Sequence, residues 1–151
     1  IENTSAESCA DIMAGEGHVL PIGKHEITAI ETPGHTIGCM SFLVDNKLFT
    51  GDSLFIRSTG RCDFQGGSAS TLYHSIQKLF ALPDSTIVYP GHDYNGFTVS
   101  TIGEEKKFNT LVREDYDQET FIKKVGSLDL SLPKKINVAV PANQSCGLIS
   151  S

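Results

Sequence analysis

Two side chains stand out for the chemistry they can do. His35 lies in the run Glu31-Thr32-Pro33-Gly34-His35-Thr36-Ile37-Gly38, and Asp52 closes Leu48-Phe49-Thr50-Gly51-Asp52. A neutral imidazole and a carboxylate together form a donor set that suits a transition-metal ion. Taken singly, each residue is more commonly a satisfied polar group at the rim of a sheet. Here both stand next to a glycine at the end of an apolar run, and for the pair the metal reading outweighs the structural one. The segment Thr86-Ile87-Val88-Tyr89 then runs into Pro90-Gly91-His92-Asp93-Tyr94, which repeats the device of strand, Pro-Gly and His. His92 is thereby a third metal-capable group, and Tyr94 is a candidate polar contact to substrate.

The elements that must position these groups are legible in the spacing. Pro33 and Gly34 end the apolar run 27–30 and place His35 on a loop. Between the two ligand candidates, residues 39–44 and 47–50 flank the turn Asp45-Asn46 and read as a hairpin. A hairpin returns the chain to its starting end, so His35 and Asp52 become neighbours. Gly51 is expected to allow a close backbone approach beside the carboxylate. A second hairpin is read over residues 19–30, with His18 and His25 as exposed turn residues. Leu72, Ile76, Leu79 and Phe80 recur at helical spacing after an N-cap at Ser68 or Ser70, and Pro83 closes that helix. His74 rides on it as a surface or packing residue. Thr101 with Glu104 reads as a capping box, and Asp117 with Thr120 as another N-cap for a helix that stops at Gly126. Residues 53–67 form a long loop rich in glycine and charge. Arg57, Arg61 and Asp63 there form either an ion network beside the metal or an ordinary solvated surface, and composition does not separate the two. Cys146 is either a plain buried thiol or a reactive one near the site. Alternating strands and helices with candidate ligands at strand ends indicate an α/β or α+β layer fold.

Composition narrows the functional classes. A chain of 151 residues is expected to form one domain, 1–151, with a real core. Its net charge of −6 argues against a general binder of nucleic acid or of anionic membranes, so neither is expected as a partner. No apolar run approaches the length of a membrane span. The four cysteines, Cys9, Cys39, Cys62 and Cys146, contain no CxxC pair. That excludes a zinc ribbon and fits a reducing interior.

The motifs resemble those of the metallo-β-lactamase superfamily. More narrowly they are similar to its persulfide dioxygenases, the relatives of glyoxalase II. The resemblance runs through residues 32–39, 49–52, 56–65, 71–75, 89–94, 96–101, 139–143 and 146–147. The superfamily level rests on His35, Asp52 and His92. The narrower level rests on three blocks: Gly60-Arg61-Cys62-Asp63-Phe64, His92-Asp93-Tyr94 with Gly96-Phe97, and Pro141-Ala142-Asn143 with Cys146-Gly147. The resemblance implies an αβ/βα sandwich with the metal in a groove along one edge. It implies one Fe(II) per site, with Zn as the alternative, held by two His and one Asp, of which His35 and Asp52 match two. It implies oxidation of glutathione persulfide by O2 to sulfite and glutathione. His92 then has a supporting or substrate-side role in catalysis, Tyr94 lies near the glutathione moiety, and Arg57, Arg61 and Asp63 support the ligands. The implied location is the cytoplasm for a bacterial source and the mitochondrial matrix for a eukaryotic one.

Two departures shape the expectations. The superfamily's His-x-His-x-Asp-His segment, which supplies the first iron ligand, is not in this sequence. The chain therefore reads as the C-terminal part of a family member, without the N-terminal half of the sandwich, and as weakly metallated by itself. It is expected to associate with a second copy or with a missing N-terminal half. Second, Thr110-Leu111-Val112-Arg113 stands where the family has Asn-Pro-Arg, which leaves Arg113 as the candidate substrate contact. A glyoxalase II-like thioester hydrolase with two metals is the alternative enzyme. A non-catalytic self-association module is the alternative of a different class.

Overall fold

The computed structural model describes residues 11–63, 66–132 and 134–144, the side chains of Asn143 and Gln144 excepted. Six strands form one mixed sheet in sequential order: β1 (Val19–Ile22), β2 (His25–Glu31), β3 (Met40–Val44), β4 (Lys47–Gly51), β5 (Ile87–Pro90) and β6 (Ser100–Thr101). All neighbours are antiparallel except β4 and β5, which are parallel. A parallel pair needs a crossover. Helix α1 (Ala69–Phe80) supplies it, followed later by α2 (Ile102–Phe108), α3 (Gln118–Gly126) and α4 (Ile136–Gln144).

Both expected hairpins form, and the three predicted caps hold. Ser68 accepts from the Thr71 amide, Thr101 from Glu104 and Asp117 from Thr120. Strand β6 and helix α4 are additions that the spacing did not announce. A two-residue strand carries no periodicity, and Pro141 sits inside α4.

The two faces of the sheet differ. On one face Leu48 and Val88 pack, fully buried, against Leu72, Ile76 and Leu79 of α1 and Phe121 of α3. Strand pairing places Phe42, Val44, Phe49, Ile87 and Tyr89 together on the opposite face. Phe49 is 45% exposed there and its ring stacks on Tyr89 at 5.3 Å between centroids. Among the described residues, helices cover one face of the mixed sheet and the other face is apolar and only partly covered, which corresponds to one half of the expected αβ/βα sandwich.

Helix α1 also clamps the loop that carries His35. The Ser68 amide donates to the Gly34 carbonyl at 2.8 Å, and the Ser75 hydroxyl donates to the Pro33 carbonyl at 2.6 Å. Ser68 thus caps the helix and holds the loop. Ser68→Ala removes only the side-chain part, accepted from Thr71 at 3.2 Å. It is expected to cost about 1 kcal/mol, measured as a lowered urea midpoint at unchanged slope.

Candidate metal centre

His35 and Asp52 meet as the hairpin arithmetic requires, with His35 Nε2 3.5 Å from Asp52 Oδ2. The His35 ring is oriented from behind. Its Nδ1 lies 2.5 Å from the Arg61 carbonyl oxygen, which can only accept. Nδ1 therefore carries the proton in the neutral ring, and Nε2 presents a lone pair to Asp52. Nδ1–H bound to a backbone carbonyl with Nε2 turned forward is how protein imidazoles are prepared for metals. Two lone-pair groups facing each other repel unless a cation or a proton lies between them. An ion that bonds N and O at about 2.0–2.2 Å reaches both across this gap, so the residues present fit a metal.

Asp52 is held from its other oxygen. His92 Nδ1 lies 2.6 Å from Asp52 Oδ1, so the imidazole N–H donates to the carboxylate. His92 is half exposed, its ring stacked on Tyr94 at 5.8 Å and met edge-on by the buried Phe55. Below the carboxylate, a buried hydroxyl cluster ties the strand ends together. Ser53 donates to the Thr32 carbonyl at 3.0 Å, and Thr32 Oγ1 lies 3.0 Å from Ser41 Oγ. Among the described residues no third His, Cys, Asp or Glu completes a cluster with His35 and Asp52.

One glycine acts differently from expectation. Gly51 was expected to permit close approach. Instead it makes a left-handed turn at φ 52°, and a Cβ there would meet only Met40 O at 3.8 Å. The close approach belongs to Gly60, whose Cβ would stand 1.9 Å from the backbone Asp52 O and 3.1 Å from His35 Nδ1, and to Gly91, whose Cβ would stand 2.7 Å from Asp52 Oδ1.

The charged loop divides into two systems. Arg57 does not join Arg61 and Asp63 beside the metal candidates. Its φ of 64° turns the chain away, and Nη1 bonds Glu105 Oε1 of α2 at 2.5 Å. Arg61 and Asp63 do pair, Nε and Nη2 meeting the two carboxylate oxygens at 2.7 and 2.6 Å. That bond raises the Arg61 pKa and lowers that of Asp63. It is the Arg61 backbone carbonyl that orients His35, while the guanidinium reaches Leu130 and Ser131. Arg113 is not brought to the site. Asp115 grips it at 2.9 and 3.0 Å and its guanidinium covers the Tyr116 ring. Cys146 lies outside the described residues. Of the other thiols, burial pushes that of Cys62 up.

His35, Asp52, His92, Tyr94 and Phe55 line one cavity of about 840 Å³, whose outer wall comes from residues 128–132 and 134–140. Sequence reasoning missed that wall, and it singled out Gly60 only as part of a motif block, not as a packing contact. The alternating leucines Leu128, Leu130 and Leu132 were its only signal.

Comparison with known proteins agrees with this geometry. Residues 12–92 match the family model described as metallo-beta-lactamase superfamily. The persulfide dioxygenase ETHE1, mitochondrial, of Mus musculus is 46% identical over 142 residues, covering 92% of this chain and 55% of the relative. Glyoxylase B2 of Dictyostelium discoideum is 35% identical over 136 residues, covering 83% and 47%. The crystal structure of ETHE1 from Myxococcus xanthus superposes with a TM-score of 0.91 at 44% identity, covering 97% of this chain and 65% of that one. The chain thus spans about half the length of the curated relatives it matches. With a metal site implied by the match and a fitting donor pair at its strand ends, the chain belongs to the metallo-β-lactamase superfamily.

Proposed function

We propose that this chain carries part of the active site of an iron-dependent persulfide dioxygenase, with His35 and Asp52 as two ligands of one Fe(II). The observation that carries the reading is the convergence of His35 Nε2 and Asp52 Oδ2 at 3.5 Å, in a chain 46% identical to a persulfide dioxygenase. The reaction is glutathione persulfide plus O2 and water to glutathione, sulfite and two protons. The terminal sulfur loses four electrons to O2, and its bond to the inner sulfur breaks. Fe(II), when bound, supplies the redox activity and the open positions for persulfide and O2.

The chain's own residues prepare that chemistry. The Arg61 carbonyl keeps the proton on His35 Nδ1 and so keeps Nε2 a donor. His92 Nδ1–H holds Asp52 Oδ1 and fixes the carboxylate plane, a positioning role rather than a ligand role. Phe55 and the leucines of the outer wall give the cavity an apolar lining beside the sulfur. Tyr94 is the proposed substrate contact at the cavity mouth, a reading supported by its stacking on His92 and its 74% exposure. The reaction takes place in the mitochondrial matrix for a eukaryotic source and in the cytoplasm for a bacterial one.

Iron-loaded protein given glutathione persulfide in one cell and S-lactoylglutathione in another tests the reading. Oxygen uptake with the first and no hydrolysis of the second is expected. Hydrolysis without oxygen uptake would transfer the site to the thioester hydrolases. The open sheet face around Phe49 and Tyr89 favours a second reading, in which the chain is an association module. Inactivity of iron-loaded protein, together with concentration-dependent sedimentation, would select that one.

A further inference from the structure

We propose that Ser53, Ser68 and Ser75 form a cradle that holds the loop before His35 rigid, so that the His35 ring presents Nε2 to Asp52 before any metal arrives. Ser53 and Ser75 are its positioning residues. Three consecutive carbonyls carry the argument. The Ser53 hydroxyl donates to the Thr32 carbonyl at 3.0 Å, the Ser75 hydroxyl to the Pro33 carbonyl at 2.6 Å and the Ser68 amide to the Gly34 carbonyl at 2.8 Å. The donors come from separate places. Ser53 follows Asp52, Ser68 caps α1 and Ser75 lies inside α1. The loop also closes on itself, the Gly34 amide donating to the Thr36 carbonyl at 3.0 Å.

Local structure requires neither hydroxyl. Ser75 sits on the buried face of α1 with Leu72, Ile76 and Leu79, where an apolar residue would pack and serine is a mediocre helix former. A hydroxyl buried there is costly unless bonded, and a serine inside a helix commonly returns its proton to a carbonyl of the same helix. Ser75 reaches out to Pro33 instead. Ser53 is fully buried as well. It adjoins Asp52, and its partner Thr32 stands three residues before His35, so one bond ties together the two strand ends that carry the donors. The Thr32 hydroxyl, 3.1 Å from Ser53 Oγ and 3.0 Å from Ser41 Oγ, completes this brace. From the other side the Arg61 carbonyl holds the ring. A pair of donors already in place spares a metal the cost of ordering them. The inference deepens the metal reading, and its first test needs no metal.

Nitrogen-15 NMR of the imidazoles in metal-free protein reads the tautomer. Wild type is expected to show His35 protonated on Nδ1. Ser53→Ala and Ser75→Ala are expected to show a mixture, because a loosened loop lets the ring leave the Arg61 carbonyl. Zinc titration of the same proteins should give a Kd raised about tenfold in either variant. Ser75→Cys keeps the volume with a weaker donor and should fall between, which leaves a testable protein if alanine is not tolerated. Ile76→Val, beside Ser75 on the same helix face, lowers stability without touching the loop and should keep both tautomer and Kd. Serine variants with a lowered urea midpoint but an unchanged tautomer and Kd overturn the cradle. The same tautomer mixture in Ile76→Val overturns it too, as a general loosening. A mixture confined to the serine variants, beside no zinc binding by wild type, leaves this inference standing and removes the metal reading.

Discussion

Replacing Glu105 with alanine is expected to cost about 3–5 kcal/mol of stability, the range for breaking a buried ion pair from one side. Glu105 is fully buried and its carboxylate gathers four donors. These are the Arg57 amide at 2.8 Å, Arg57 Nη1 at 2.5 Å, Ser100 Oγ at 2.6 Å and Asn109 Nδ2 at 2.8 Å. Alanine leaves the Arg57 guanidinium facing a cavity, with the Ser100 hydroxyl at 3.3 Å, the Glu104 carboxylate at 3.9 Å and the rings of Phe97 and Phe108 as its remaining neighbours. It also releases the Arg57 amide from the carboxylate that fixes the residue's left-handed backbone. Total stabilities of about 5–15 kcal/mol make this a large fraction of what the chain has. With urea slopes of about 1–3 kcal/mol/M, the midpoint should fall by roughly 1 M or more. Glu105→Gln keeps the volume and one acceptor and should lose less. A shift under about 0.5 kcal/mol for the alanine variant would mean that the network is solvated and not a clamp.

The effect should reach the metal candidates. Asn109, also fully buried, donates to the Ser58 carbonyl at 3.0 Å, so the end of α2 holds the loop that leads directly to Gly60. Helix α2 thereby stands in a chain of contacts from the Glu105 carboxylate through residues 55–59 to the backbone behind His35 and Asp52. That chain was closed to sequence reasoning. Arg57 and Glu105 are 48 positions apart, and neither helical nor strand periodicity carries information over that span. The positive φ at Arg57 makes the same point, since nothing about an arginine announces a left-handed turn.

What could be read was local. His35 and Asp52 were found because Pro-Gly and Gly punctuate two strand ends, and a tight hairpin leaves only one place for those ends to go. Ser68, Thr101 and Asp117 were found because a cap is written into four consecutive residues. Arg61 and Asp63, two positions apart, do pair, which composition left open, while the carbonyls that the same guanidinium reaches lie about seventy residues downstream, beyond any local signal. The outer wall of the cavity was missed for a related reason. Its leucines look like a poor strand, and Pro141 discourages the helix that follows.

Gly60→Ala should lower metal affinity about 10- to 100-fold, the range seen when groups behind a ligand are disturbed. The added Cβ would fall 1.9 Å from Asp52 O, a backbone atom that no rotamer change can move. The strand end around it is braced by buried hydroxyls, the Thr50 hydroxyl donating to Leu54 O at 2.6 Å and the Ser53 hydroxyl to Thr32 O at 3.0 Å. The clash must therefore be relieved either by shifting Asp52 or by pushing the Gly60-Arg61 backbone away. The first displaces the carboxylate from His92 and from His35. The second withdraws the Arg61 carbonyl that orients the His35 ring. Either route separates the two donors, so metal binding should suffer more than folding, with overpacking costing about 1–3 kcal/mol. Gly126→Ala is the matched control, because a Cβ there meets nothing within 4 Å. Iron and zinc titrations beside thermal unfolding of both variants provide the comparison. Equal metal affinity in Gly60→Ala and Gly126→Ala would show that the donor pair does not depend on this contact, and that the tight packing at Gly60 serves the fold alone.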